Sequence, residues 1–245
     1  MSIVPKTAAE AKHLVFLANR ILANEGLFDA FGHVSVRNPE NPNTFFQSPN
    51  CAPEFVVEEN MLEIDLDGNV VSKSDKRPYG ERFIHSSIYK VRPDVNAVYH
   101  GHFCEGIALS ASGIEYKPVS HQGAIFYDPV PVFDDYDVSN GTLTRTFEEG
   151  ARLARKLGNS RGLMMRNHGV VVVGEGVQQM VMGAIFFRDN CRIQMELHRM
   201  GVTNYSTVSR EIGLVSIKNH ITHEGVLERT WNYWLGRARK NMPDV

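Results

Sequence analysis

Residues 33–37, 44–47, 61–65 and 70–71 form four short runs of β character with no helix between them. The last follows the turn signal Asp67-Gly68-Asn69. This crowding of early strands constrains the fold most. A helix is expected before them, over 8–25, where Leu14, Leu17 and Ile21 recur at helical spacing after an entry near Pro5 and Gly26 stops the run. After them the pattern alternates without a regular strand–helix–strand repeat. Helical composition covers 82–91 and ends at Arg92-Pro93, and a buried strand covers 96–102. A second helix begins near Glu105, and a short strand covers 130–133. An amphipathic helix is expected over 142–157. Two strand segments within 162–173 are divided by Asn167-His168-Gly169. A long Met- and Phe-rich helix spans 177–200, and a last helix spans 226–240. Such an order favours one α/β (α+β) domain over 1–245, with a mixed or mostly antiparallel central sheet flanked by helices. No GxGxxG or GxxxxGK[ST] is present to cradle a phosphate.

Composition narrows the partners. The 245 residues are 42% hydrophobic and 22% charged, enough apolar material for a substantial core. A formal charge of −2 supplies no basic excess for a nucleic acid. No run approaches ~18 uninterrupted apolar residues, so no membrane span is expected. The N-terminal stretch MSIVPKTAAEAKHLVFLANR lacks the features of a secretory signal. Cys51, Cys104 and Cys191 are odd in number and scattered, which suits free thiols in a reducing cytoplasm; Cys104 is expected to pack in the core.

Two of the histidine positions stand apart from the rest. His100-Gly101-His102 closes the apolar run from Val95, and in a strand residues i and i+2 face one side of the sheet. His168 interrupts a second apolar run, between Gly162-Leu163-Met164-Met165 and Val170-Val171-Val172-Val173. A buried imidazole needs a partner, and a hydrogen bond or a metal ion satisfies it equally well. A divalent ion takes three or four N, O or S donors and keeps a position open in a catalytic site. Glu81, behind Pro78-Tyr79-Gly80 and at the start of a helix, is the candidate carboxylate. As a residue alone it reads as well as a first-turn glutamate stabilising its own helix.

Taken in order, these segments resemble the class II aldolase/adducin family: Gly32-His33-Val34-Ser35-Val36-Arg37, then Pro78-Tyr79-Gly80-Glu81, then RPDVNAVYHGH over 92–102, then Asn167-His168-Gly169. The resemblance spans about residues 8–200 and leaves a helical tail over 201–245. It implies a largely antiparallel sheet flanked by helices, and a homotetramer with active sites between subunits. It further implies one divalent ion per subunit, Zn²⁺ or Mn²⁺, on His100, His102 and His168, with Glu81 as an additional ligand or acid/base group. The departures are informative. The sugar-phosphate aldolases of the family carry Asn where this chain has His33, and two serines where it has Tyr79-Gly80; those groups help hold a phosphate. His33 with Tyr79-Gly80-Glu81-Arg82 is similar instead to the branch that decarboxylates hydroxylated aromatic or heteroaromatic acids, such as dihydroxyphthalate and hydroxypyridine-dicarboxylate.

That branch implies a lyase in which the metal stabilises electrons released by a breaking C–C bond. Either Glu81 or His33 is the expected proton mover. His33 and Arg82 are candidates for a second substrate carboxylate, Arg82 having solvent as its alternative. His121 falls in a segment that approaches the site in relatives. Ser48, Tyr79, Tyr127 and Trp234 are candidates for shaping the substrate pocket, with core or interface packing as their other reading. An aldolase or epimerase of an unphosphorylated hydroxy-carbonyl compound is the alternative activity, and a non-catalytic adducin-like module is the third possibility.

Overall fold

The computed structural model describes residues 4–221 and 223–245, so residues 1–3 of the N-terminal stretch lie outside it. Seven strands form one sheet: β1 (His33–Arg37), β2 (Thr44–Gln47), β3 (Leu62–Asp65), β4 (Ala97–Gly101), β5 (Val132–Phe133), β6 (Gly162–Met165) and β7 (Gly169–Gly174). Their spatial order is β3-β2-β1-β4-β7-β6-β5. All pairings are antiparallel except β5 with β6. This is a single α/β domain with the mostly antiparallel sheet expected from the crowded early strands.

Helices cover both faces. The helices are α1 (Ala8–Asn24), α2 (Arg82–Val91), α3 (Cys104–Ser112), α4 (Phe147–Leu157), α5 (Val177–Arg199), α6 (Arg210–Ser216) and α7 (Glu224–Asn241). Alternation along the strands assigns the faces. Val34, Val36, Ala97 and Tyr99 join a core built with α1, α5 and α7 residues such as Leu14, Phe187 and Trp231. Val98, Val171 and Val173 join a second core with Ile84, Ile88 and Leu153 from α2 and α4. Each fully buried aliphatic side chain contributes roughly 1.5–3 kcal/mol, so both layers hold the central strands rigidly.

Three local expectations differ from the structure. The helix expected over 142–157 starts at Phe147, because Thr146 closes a capping box with Glu149 and the Thr144 backbone N–H is turned to Glu81 at the N-cap of α2. Val70 forms only an isolated bridge to Ile64. Cys104 is exposed at the first residue of α3, while Cys191 is buried. The stretch before the last helix contains α6 and a π-helical turn at Ile217–Ile221, which carries His220. No helix among the described residues is long and apolar enough to cross a membrane.

Candidate metal centre

The site lies at the C-terminal end of β4, on the face covered by α2. His100 is the fourth residue of β4 and pairs in register with His33 of β1, so both rings emerge on that face. His102 lies just beyond the strand, and its Nε2 turns back to 3.1 Å from His100 Nε2. The intervening glycine has a packing reason. A Cβ at Gly101 would run into the Tyr99 phenol, which lies across it on the opposite face. His168 comes from the tight connection between β6 and β7. Asn167 adopts φ 57° there, a left-handed conformation that asparagine tolerates. Gly169 follows because a Cβ would meet the His102 ring at 2.8 Å. Glu81 sits at the N-cap of α2.

The donor atoms converge. His102 Nε2 is 3.2 Å from His168 Nε2, and Glu81 Oε2 is 3.6 Å from both His100 Nε2 and His168 Nε2. All four donor atoms lie within 4.8 Å of one another. Ligands about 2.1 Å from a common tetrahedral ion stand ~3.4 Å apart, which these four separations bracket. The outer contacts aim the donors inward. His100 Nδ1–H donates to the Val170 carbonyl at 3.1 Å, leaving the Nε2 lone pair facing the centre. Glu81 Oε1 accepts from the Thr144 backbone N–H at 3.0 Å, leaving Oε2 free.

Electrostatics suit a cation. Burial, then the neighbouring histidines, push His102 down to about 3; burial, then His100, pushes His168 down to about 4. Glu81 is pushed down to about 2: burial opposes ionisation, and His100, His168 and the Thr144 amide outweigh it. At neutral pH two neutral imidazoles and one carboxylate therefore face His100 Nε2 with lone pairs converging. Only a cation or shared protons satisfies such a set, and the residues fit a divalent ion.

A cavity of about 290 Å³ opens beside these donors. Its lining includes Phe31, His33, Cys51, Tyr79, Glu81 and Arg145. The Tyr79 ring stands 4.5 Å from the His33 ring. Ser48 is buried and donates to the Tyr79 hydroxyl at 3.4 Å; Tyr79 in turn donates to the Cys51 carbonyl. Ser48 thus reaches the cavity through Tyr79. Arg82 turns away from it: its Nε donates to the Gly68 carbonyl, its Nη1 to the Tyr79 carbonyl, and the guanidinium lies over Phe83. His121 and Trp234 line a different cavity with His220 and Arg229, and Tyr127 lines a third with Arg92 and Arg161. Within one chain these three do not meet the metal donors.

Sequence reading missed Arg145, Phe31 and His85. Arg145 is the one Lys or Arg lining the cavity and has no carboxylate partner among the described residues. Phe31 is 68% exposed, unusual for a phenylalanine, and stands edge-on to His102. His85 is fully buried and hydrogen-bonds His33. Its signal was its place four residues after Glu81 on α2; nothing local announced Arg145.

Fold and donor set together define the class. The chain belongs to the class II aldolase and adducin family, whose N-terminal domain model matches residues 13–195. It is 29% identical over 237 residues to the decarboxylase tropJ of Talaromyces stipitatus, covering 88% of this chain and 89% of that protein. It is 29% identical over 197 residues to the 3,4-dihydroxyphthalate decarboxylase of Arthrobacter keyseri, covering 74% and 76% respectively. A crystal structure of an aldolase II superfamily protein from Pseudomonas syringae superposes with a TM-score of 0.83 at 23% identity, over 98% of this chain and 96% of that one. The histidine–carboxylate cluster in this family context marks a metal-using enzyme of the class II aldolase superfamily.

Proposed function

We propose that this protein is a metal-dependent decarboxylase of a hydroxylated aromatic or heteroaromatic carboxylic acid, a carboxy-lyase using Zn²⁺ or Mn²⁺. The observation that carries this reading is the cavity wall: beside the metal donors stand the rings of Tyr79 and His33 and the unpaired cation Arg145. A planar acid can lie against this ring wall with a carboxylate toward Arg145. The relatives named as decarboxylases support the same chemistry.

A divalent ion on Glu81, His100, His102 and His168 supplies a Lewis acid for the oxygen that takes up electrons as the C–C bond weakens. The chain's own residues do the rest. Arg145 pairs with a substrate carboxylate, and its planar fork suits that geometry. Tyr79 and His33 hold the ring plane, and Phe31 limits water at the mouth. Decarboxylation needs a proton delivered to the ring carbon that carries the carboxyl group. The C–C bond then breaks, carbon dioxide leaves, and the electron pair restores the aromatic ring. His33 and Glu81 are the candidates to hold that proton; Glu81 takes the role only where the three histidines alone hold the ion, because its oxygen not tied to Thr144 is the one that faces the metal donors. The reading includes a homotetramer, in which His121 or Trp234 reaches a site only from a neighbouring copy.

The donor set itself is indifferent to which C–C bond breaks, so aldol cleavage or epimerisation of an unphosphorylated hydroxy-carbonyl compound is the second reading. Elemental analysis of purified protein, followed by carbon dioxide assay across hydroxybenzoates, hydroxyphthalates and hydroxypyridine carboxylates, separates the possibilities. Stoichiometric metal and carbon dioxide release are expected. Metal-loaded protein that releases none, but forms an aldehyde or ketone from a hydroxy-carbonyl substrate, overturns the decarboxylase reading. Protein purified without any bound metal would favour an adducin-like module.

A further inference from the structure

A chain of hydrogen bonds runs from the cavity into the protein. His33 Nδ1 lies 2.6 Å from His85 Nε2, His85 Nδ1 lies 2.6 Å from Ser35 Oγ, and Ser35 Oγ lies 2.8 Å from the Tyr89 hydroxyl. None of these four residues is more than 3% exposed. The secondary structure builds the chain simply. His33 and Ser35 are i and i+2 on β1 and face α2; His85 and Tyr89 are i and i+4 on α2 and face β1. Only His33 reaches the cavity.

Counting protons gives the chain a direction. Two imidazoles meeting through one 2.6 Å contact cannot both present an N–H, so one nitrogen carries a lone pair. The Tyr89 hydroxyl has a single proton. Among the described residues its one hydrogen-bond partner is Ser35 Oγ, so that proton has a single acceptor open to it. Tyr89 therefore donates to Ser35, Ser35 donates to His85 Nδ1, and His85 Nε2–H donates to His33 Nδ1. The reverse order would strand the Tyr89 proton in the core without an acceptor. With Nδ1 accepting, neutral His33 carries its proton on Nε2, the nitrogen without a protein partner.

We propose that Tyr89, Ser35 and His85 are positioning residues that hold His33 as its Nε2–H tautomer, so that the cavity presents a hydrogen-bond donor to an anionic oxygen of the ligand. The tautomer stands independently of the reaction; its catalytic consequence rests on the decarboxylase reading. In that reaction His33 Nε2–H donates to a carboxylate or ring oxygen, and a ligand offering only donors at that point is rejected.

The test is histidine ¹⁵N NMR of the zinc-loaded protein, with the His33 signals assigned through His33→Gln. Wild type is expected to show protonated Nε2 and unprotonated Nδ1. Tyr89→Phe keeps the ring but removes the donor that sets the order, and should move His33 to a mixture of tautomers. Ser35→Ala interrupts the chain at another link and should do the same if the first variant folds poorly. A His33 Nδ1–H tautomer or averaged shifts in wild type would overturn the proposal, as would wild-type shifts in both variants. In turnover, Tyr89→Phe should lower kcat at least about tenfold with metal content unchanged. A shifted tautomer with unchanged kcat removes the catalytic consequence. Because the NMR result does not depend on carbon dioxide release, failure of the relay and failure of the decarboxylase reading are distinguishable.

Discussion

Replacing Glu81 by glutamine isolates the charge of the carboxylate from its position. The glutamine oxygen can still accept from the Thr144 amide, so the side chain keeps its anchor at 3.0 Å. What changes is the atom facing His100 and His168, which becomes an amide group in place of the oxygen now 3.6 Å from both. The surroundings lower the Glu81 carboxyl from 4.5 to about 2. A fall of that size corresponds to ~3 kcal/mol of preference for the negative form. A bound divalent ion draws on the same preference, so Glu81→Gln should weaken metal binding by about 10²-fold, as ~1.4 kcal/mol is a factor of ten. Competition titration of metal against a chelator reads the affinity, and carbon dioxide release at saturating metal reads turnover. If Glu81 moves the proton, kcat falls at least ~100-fold even when the site is filled. A dissociation constant within a few-fold of wild type, with near-normal kcat, would refute both roles and leave Glu81 as the N-cap of α2.

The buried histidines predict a stability that falls on acidification. His85, pushed down to about 3 mainly by burial, joins His102 at about 3 and His168 at about 4. An unfolded chain protonates its histidines near 6.5, so between that value and ~4 it binds more protons than the folded chain, and stability drops as pH falls. From pH 7 to 5.5 the loss is on the order of 1 kcal/mol per histidine in chelator-treated protein; urea midpoints that do not move across this interval would contradict the assignment. The two arginines should behave oppositely. Arg145→Met should raise KM for a diacid about tenfold through loss of a charge-assisted pair, whereas Arg82→Met should leave KM unchanged, because its guanidinium serves the Gly68 and Tyr79 carbonyls. Equal KM values for Arg145→Met and wild type would remove Arg145 from the site.

Much of this centre was legible because its donors belong to short local patterns. The His100-Gly101-His102 triplet ends a strand that reads as one, and His168 interrupts an apolar run that could only be interior. The strands were legible for a related reason: 33–37, 44–47 and the later runs are short, β-rich and separated by turn residues. What stayed hidden depends on contacts between distant segments. The Thr144 amide reaches Glu81 across 63 positions of sequence, and the same crossing brings Arg145 to the cavity in a segment whose own pattern suggested the start of a helix. Arg82 was the natural cation to choose because it follows Glu81 directly. Adjacent positions at a helix start point in different directions, and here Glu81 faces the histidines while Arg82 faces the turn at Gly68. His85 was visible on the correct helix, but its function depends on the register between β1 and α2, which periodicity does not specify.

The polar groups left free around the cavity bear on the ligand more than those that are present. Ser48 gives its proton to Tyr79, and Tyr79 gives its own to the Cys51 carbonyl. Neither hydroxyl remains for a ligand, although both belong to residue types that bind phosphate elsewhere. A phosphate is best held by several converging amide or hydroxyl donors, and this wall offers ring faces in their place. Besides the exposed Asn50 amide, the uncommitted side-chain donors lining the cavity are His33 Nε2 and the Arg145 guanidinium. A ligand that satisfies both, and also reaches the metal donors, needs acceptor oxygens on at least two sides of a flat body. A hydroxylated aromatic diacid meets that description with the fewest rotatable bonds, and so loses little conformational freedom on binding. If the donor count governs selection, affinity should fall when the second carboxylate is removed and change little when a ring carbon becomes nitrogen; the opposite ranking would show that ring electronics select the ligand.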